Sequence, residues 1–145
     1  AHRPLLGAFT FSILAFPEAD YPGVLMEYQI FCREYYEKYR YQPDMLSVGY
    51  RVIQSQHSLL SYSHEGNVMT IDPVAVGCKD WHKFSKAFNE FAVKHGGKPL
   101  LNQTPNLTSD QLDKSFGKQW ALFKEYRSQY YPDKRLLNAH FASLL

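Results

Sequence analysis

Four sets of polar side chains interrupt the apolar pattern of this sequence, and they are the groups that could do chemistry. The first is Arg51, inside the otherwise apolar run 48–53. A strand arginine can simply face solvent. Alternatively it enters a pocket, where it binds an anion or stabilises a hydroxyl that develops negative charge. Gly49 nearby would let a second backbone or a flat ligand approach closely.

The second set is the span 61–64, in which Ser61, Ser63 and His64 place several hydrogen-bond donors close together. Donors clustered in this way can line a binding site for a polar ligand. Hydroxyls that alternate along an edge strand also commonly face solvent, so the pattern alone leaves both interpretations open.

The third and fourth sets are amides. Asn102 and Gln103 follow a short predicted strand. Amides at a strand end can hydrogen-bond the edge of a heterocycle, and they also serve as ordinary loop residues. Asn138 follows two leucines near the C-terminus. Its amide can likewise bind a ligand, or it can cap a short terminal helix.

Several well-known catalytic motifs are missing from the 145 residues. There is no G-x-G-x-x-G, no P-loop and no G-x-S-x-G motif. No pair of histidines has the spacing of metal ligands, so no metal site is predicted. From spacing alone, the sequence indicates a soluble domain of mixed helices and strands and no particular reaction.

Composition narrows the class of function further. The net charge is only +2 and the basic residues are dispersed, which argues against a nucleic-acid partner. Cys32 and Cys78 stand far apart beside apolar residues, a pattern typical of buried free thiols in a reducing compartment. The apolar stretch 4–16 is shorter than the roughly 20 residues that a membrane span needs, and it alternates as a strand does.

Hydrophobic periodicity and turn signals place these residues on a series of elements. Asp20 is expected to cap the first helix, and Thr108 with Gln111 forms a capping box for the third, which Gly117 breaks or kinks. The predicted strands are 7–16, 45–54, 59–63, 68–72 and 98–102, with a hairpin turn at 65–67; the predicted helices are 20–39, 80–95 and 108–130, followed by a short tail at 135–145.

This order predicts an α+β fold for residues 1–145 as a single domain. We expect a ferredoxin-like antiparallel sheet with helices on one face, plus C-terminal helices. The chain starts abruptly in strand-like sequence without a methionine, so we expect it to be a piece of a longer protein.

Three segments resemble the C-terminal half of FAD-linked oxidases of the vanillyl-alcohol-oxidase type, in particular the sugar-lactone and alditol oxidase branch. They are Val-Gly-Tyr-Arg at 48–51 followed by 59–63, Gly-Gly-Lys-Pro-Leu-Leu-Asn-Gln at 96–103, and Tyr-Pro-Asp-Lys-Arg-Leu-Leu-Asn at 131–138. The third segment is the most specific, and the order and spacing of all three add to it. The resemblance covers most of the chain.

The resemblance implies a substrate-binding, or cap, domain that covers a flavin held by an FAD-binding domain of the same polypeptide. Such enzymes oxidise an alcohol or lactone carbon by hydride transfer to the flavin. The branch carries Glu-x-Arg on a central strand; Arg51 matches its arginine, but Gly49 stands where its glutamate would be. It also carries Arg-Pro-His-Trp-Gly-Lys near the flavin, where Pro99 matches and Gln103 replaces the lysine. The two departures weaken the case for sugar-lactone oxidation itself.

Within this family interpretation, each polar set receives a role. Arg51 is the catalytic residue, which binds substrate or stabilises negative charge. The substrate-binding residues are Tyr50, Ser61, Ser63 and His64, and the cofactor-binding residues are Asn102, Gln103 and Asn138.

The partners that follow are the FAD-binding domain, a small alcohol or lactone and, as a further class, a second copy of the chain. A cytoplasmic location is expected, with peripheral membrane association left open. The isolated chain is expected to be inactive. The alternative hypothesis is a stand-alone ferredoxin-like module for ligand binding or dimerisation.

Overall fold

A computed structural model describes residues 9–76, 79–131 and 138–145. Within those ranges the chain forms six strands and five helices. The strands are β1 (Phe9–Phe11), β2 (Leu14–Pro17), β3 (Arg51–Val52), β4 (Val68–Ile71), β5 (Val74–Val76) and β6 (Lys98–Pro99). The helices are α1 (Tyr21–Tyr39), α2 (Trp81–Lys94), α3 (Ser109–Phe116), α4 (Lys118–Tyr130) and α5 (Ala139–Ala142).

The main sheet has four antiparallel strands in the order β3-β4-β2-β6. Along the chain, these strands and the first two helices follow the succession β-α-β-β-α-β on which the ferredoxin-like expectation rested. β5 is an addition between β4 and α2, and it pairs with β1 in a separate two-stranded sheet. The predicted α+β class with an antiparallel sheet is confirmed.

The larger core lies between the main sheet and helices α1 and α2. Phe84, Phe88 and Phe91 recur at helical spacing and are buried on one face of α2. They meet Phe16 from β2 and Tyr28 from α1, and these aromatic rings lie 5.3 to 6.4 Å apart in tilted, edge-to-face and stacked pairs. Most of the aromatic content of the chain is therefore core packing.

The smaller core gathers the C-terminal helices around Trp120, which is fully buried. Leu112 and Phe116 of α3 and Leu144 after α5 complete it, and Leu101 packs against it from the loop after β6. This cluster ties the end of the chain to the 101–107 region. Packing in this smaller core brings α5 close to the side-chain amides of Asn102 and Gln103.

The helix signals in the sequence are confirmed at α3 and only in part at α1. Thr108 accepts from the Gln111 amide and the Gln111 side chain accepts from Thr108 N, which is a complete capping box. Gly117 has a φ of 51° and separates α3 from α4. Asp20 stands at the N-cap of α1, but its side chain makes no capping hydrogen bond, so that detail of the prediction is wrong.

Strand lengths are the main correction. The predicted strand 45–54 is reduced to Arg51–Val52 and an isolated bridge from Val48 to Asp72. The predicted strand 59–63 is a loop, and β4 pairs with β2 and β3 instead of forming a hairpin with it. Local hydrogen bonds explain the loop, because the side-chain amides of Gln54 and Gln56 both donate to the backbone carbonyl of His64.

The remaining predicted strands occur at about the expected positions, but their lengths differ. The expected strand 7–16 is divided into β1 and β2, with the buried Ser12 between them. The expected strand 98–102 is limited to Lys98–Pro99. The expected strand 68–72 is β4, which ends at Ile71 before Pro73, and the short strand β5 that follows was not predicted.

The thiol prediction holds for Cys32, which is free and partly buried, and burial raises its pKa. Cys78 lies outside the described residues, as does most of the 131–138 segment that carries part of the family resemblance.

Candidate functional site

Arg51 is exposed on β3, where its guanidinium forms a two-point ion pair with Glu18. Nε donates to Oε1 at 2.5 Å and Nη2 donates to Oε2 at 3.1 Å. The Asn67 amide also donates to Oε2, at 3.1 Å. These hydrogen bonds lower the pKa of Glu18, and the hydrogen bond from Arg51 has the largest effect. A ligand anion would therefore have to share the Arg51 guanidinium with Glu18 or displace the Glu18 carboxylate.

Tyr50 and Gly49 sit against β4. The Tyr50 amide donates to Thr70 Oγ1 at 3.0 Å, and its ring is exposed. A Cβ added to Gly49 would lie 2.9 Å from the Thr70 carbonyl oxygen and 3.3 Å from Tyr21 Oη. This close approach accounts for a glycine at the position where the resembling branch has glutamate, because any side chain would force the strands apart.

The loop residues predicted to bind substrate are engaged with one another. The Ser61 and Ser63 hydroxyls are 3.2 Å apart, and the Ser61 hydroxyl also accepts from the Ser63 amide at 3.3 Å. The His64 amide donates to the Ser61 carbonyl at 3.2 Å. Ser63 is buried. In this arrangement the hydroxyls hold the turn together, and their substrate role stays a prediction.

The amides at 102–103 line an open groove of about 330 Å³. Its apolar walls come from Phe9 and Phe11 of β1 and from Leu101. No described residue forms a side-chain hydrogen bond with Asn102 or Gln103, so both amides are available to a ligand. The loop itself is fixed, because the buried Thr104 hydroxyl donates to the Ile13 carbonyl at 2.6 Å.

Asn138 caps the short helix α5, since its side-chain oxygen accepts from the Phe141 amide at 2.9 Å. The capping interpretation is thus confirmed for that oxygen. Two residues on, His140 lines the groove and its Nε2 lies 3.0 Å from the Leu101 carbonyl oxygen. A carbonyl oxygen only accepts, so Nε2 carries the proton. His140 was not among the predicted site residues; its position two residues after Asn138 was the available signal.

The predicted residues form two groups. Asn102 and Gln103 share the groove with His140, and Asn138 begins the helix that carries that histidine. Arg51 lies at the other edge of the main sheet, since β3 and β6 are its outermost strands. Three strand spacings separate those edges by about 14 Å. The groove and Arg51 therefore do not form one small pocket.

Across residues 9–76, 79–131 and 138–145, no three side chains of the metal-ligating types cluster as an ion site would require. In the same part of the chain, no helix combines the length and apolar character needed to cross a membrane.

The groove fits part of a flavin. Apolar walls beside unpartnered amides suit the edge of a planar heterocycle, which needs a flat contact and a few placed donors. Its volume of about 330 Å³ is at the lower end of ligand sites, and the sequence supplies no glycine-rich phosphate loop. The residues present therefore fit contact with the ring system, while the rest of the cofactor would need another domain.

Comparison with known proteins identifies the family of the chain. The family model described as D-arabinono-1,4-lactone oxidase matches residues 15–144, which is most of the chain. A search of curated proteins found no match. The chain, with its α+β sheet and its groove at the β6 edge, belongs to the D-arabinono-1,4-lactone oxidase family.

Proposed function

We propose that this chain is the substrate-binding, or cap, domain of an FAD-dependent oxidoreductase that oxidises an alcohol or sugar lactone. An FAD-binding domain of the same polypeptide holds most of the cofactor. The observation that carries the proposal is the groove of Asn102, Gln103 and His140, in a chain that belongs to a lactone oxidase family.

The groove residues position the ring system. Bound flavin would supply the acceptor for a hydride from the substrate carbon. The Asn102 and Gln103 amides donate to and accept from heteroatoms at the ring edge. Phe9 and Phe11 cover the ring and exclude water, which strengthens those hydrogen bonds. His140 keeps its Nε2 proton on the Leu101 carbonyl and so presents one fixed ring orientation.

Arg51 acts on the substrate side of this proposal. Its guanidinium binds the substrate hydroxyl oxygen and stabilises the negative charge that this oxygen carries as its proton is released to solvent and the hydride leaves the carbon. Glu18 orients the Arg51 guanidinium before substrate binds. Tyr50 directly precedes Arg51, and Ser61, Ser63 and His64 lie in the loop between β3 and β4; we assign all four to the substrate approach. Two contact regions about 14 Å apart suit a cap that meets both a cofactor and its substrate.

An exposed apolar segment supports the presence of a partner domain. Met45, Leu46, Val48, Tyr50 and Ile53 are all exposed, and Leu46 is 87% accessible. Contiguous exposed apolar surface of this kind marks an interaction site. We assign it to the FAD-binding domain, and a second copy of the chain is the alternative.

Gln103 offers the first test, made in the complete oxidase with its flavin-binding domain. Replacing Gln103 by Leu removes the amide and keeps the volume. Loss of one hydrogen bond should lower the rate of flavin reduction at saturating substrate about three- to tenfold. Stopped-flow absorbance of the flavin measures that rate, and flavin content is measured separately.

The matched control is Gln29→Leu, an exposed amide on α1 that is outside the groove. It should leave both flavin content and reduction rate unchanged. If Gln103→Leu behaves like Gln29→Leu, the groove does not contact the flavin and the proposal fails.

A further inference from the structure

A second, smaller cavity lies on the face of the main sheet that points away from α1 and α2. Leu14 and Phe16 of β2 point into the helix-covered core, so Ala15 and Pro17 between and after them point to the opposite face. Ala15 and Pro17 line a cavity of about 120 Å³ there, together with Val68 of β4. A volume of this size holds roughly four waters or one small organic ion.

Lys98 lines the cavity, and its buried Nζ has no hydrogen-bond partner among the described residues. Lys98 is on β6, and its side chain is only 13% exposed. Among the described residues its ionic partner is Glu65, with Nζ 2.9 Å from Oε2. Glu65 is 71% exposed, so water competes for that carboxylate. The Phe116 ring lies 5.9 Å from Nζ and offers a weaker cation–π contact.

An ammonium has three hydrogens to donate, and burying it without acceptors is unfavourable. The Glu65 carboxylate is close enough to Nζ for an ion pair, but the contact lacks hydrogen-bond geometry and leaves the buried ammonium without an acceptor. The neighbouring Asn67 amide is already used, since its oxygen accepts from the Gln54 amide and its nitrogen donates to Glu18. An anionic ligand in the cavity would supply the missing acceptors through charge-assisted hydrogen bonds.

The walls restrict which anion fits. Ala15, Pro17, Val68 and the side of Tyr62 form a lining that is mostly apolar. A fully hydrated or multiply charged anion would lose its water against this lining without replacement. A short aliphatic carboxylate places its charge at Lys98 and its carbons against these walls.

We infer that this cavity is a binding site for a small monocarboxylate of about two to four carbons, which fits the volume of the cavity. The ligand carboxylate pairs with Lys98 and displaces Glu65, which occupies the site when no ligand is bound. This inference is independent of the flavin proposal, because it uses a different cavity and does not involve the groove residues.

The test is an NMR titration of the 145-residue chain with sodium propionate at constant ionic strength. We expect saturable shifts of the backbone amides of Gly66, Val68 and Gly96, which line the cavity. Affinity should be weak, on the order of millimolar, since so small a ligand makes few contacts. Parallel titrations use inorganic phosphate and chloride.

Two variants probe the charge pair, and a third is the control. Lys98→Met should abolish saturation. Glu65→Gln removes the internal competitor and should tighten binding at least threefold. Lys83→Met disrupts the exposed pair of Lys83 with Asp80 and should leave propionate binding as in the unmodified chain.

Saturable binding that is lost in Lys98→Met and tightened in Glu65→Gln supports the site. Absence of saturation in both the unmodified chain and Glu65→Gln would overturn it, and this outcome does not depend on whether Lys98→Met folds. Equal saturation with phosphate would overturn the assignment to carboxylates, because the cavity would then recognise charge alone.

Discussion

Asp72 is a buried carboxyl group. It follows β4, and it is only 3% exposed. Burial raises the pKa of its carboxyl to about 6, and neither carboxyl oxygen has a hydrogen-bond partner among the described residues. Because the folded-state pKa lies above the value of about 3.9 in an unfolded chain, the folded protein holds the proton more tightly.

The sign of the pH effect follows from this difference. Between about pH 4 and pH 6 the folded state binds more protons than the unfolded state, so the free energy of unfolding falls as pH rises. A difference of roughly two pKa units corresponds to at most about 3 kcal/mol. Below pH 4 this destabilising contribution is absent, and above pH 6 it is complete.

Asp72→Asn should therefore stabilise the chain at pH 7.5. We expect a gain of about 1–2 kcal/mol in the free energy of unfolding, less than the upper limit, because the buried amide of asparagine has N–H donors without partners. The gain should shrink towards zero at pH 4. Urea unfolding of both proteins at the two pH values measures it. The control is Asp20→Asn, an exposed carboxyl without a capping hydrogen bond, which should show no such pH-dependent gain. An equal effect of Asp72→Asn at both pH values would show that the carboxyl is not titrating as described.

Sequence patterns identified some site residues and could not identify others. Asn102 and Gln103 were recognisable because amides directly after a strand are well placed for ligands, and the structure puts them in one groove. His140 was not recognisable, because its place beside Leu101 depends on how α5 packs on the second core. The pairing of Arg51 with Glu18 was likewise invisible, since it joins residues 33 positions apart.

At the scale of elements, the Arg51–Glu18 pair links the end of β2 to β3. Both side chains are partly exposed, so the pair should contribute little to stability. Its importance, under the proposed function, is to present the guanidinium to substrate. The effect on catalysis and the effect on stability can therefore be separated.

Arg51→Ala in the complete oxidase should lower kcat/KM by at least tenfold with little change in thermal unfolding, because it removes a charge that stabilises the transition state. Glu18→Gln keeps the guanidinium and should retain most of the activity. Steady-state kinetics and thermal unfolding of both variants provide the measurements. Unchanged turnover in Arg51→Ala would remove Arg51 from the mechanism.

Helices were easier to predict than strands for a physical reason. α1 and α2 each carry a long apolar stripe, so periodicity fixed them almost to the residue. The segment 45–63 has β-branched residues but few strand hydrogen bonds. Its Gln54 and Gln56 side chains donate to the His64 carbonyl, and the Gln54 backbone N–H donates to the Asn67 side chain and not to a strand partner. β5 has three residues, and its pairing with β1 is a tertiary contact that no local pattern reveals.

At the scale of the whole molecule, the proposed cap domain has two polar edges and an exposed apolar segment. The two outer strands of the main sheet carry the two predicted groups, one at Arg51 and one beside Asn102. Leu46 and Ile53 are among the most exposed apolar side chains that the structure describes. This arrangement suits a domain that closes over a cofactor carried elsewhere in the polypeptide.

The central claim is that the groove beside β6 contacts the flavin. Hydrogen–deuterium exchange of the complete oxidase, with and without FAD, tests it directly. We expect cofactor binding to slow exchange in peptides covering Phe9–Phe11 and residues 100–105, because ring contact excludes water there. Peptides from α1 should be unchanged, since this helix does not line the groove. Exchange at the groove that is the same with and without FAD would contradict the account.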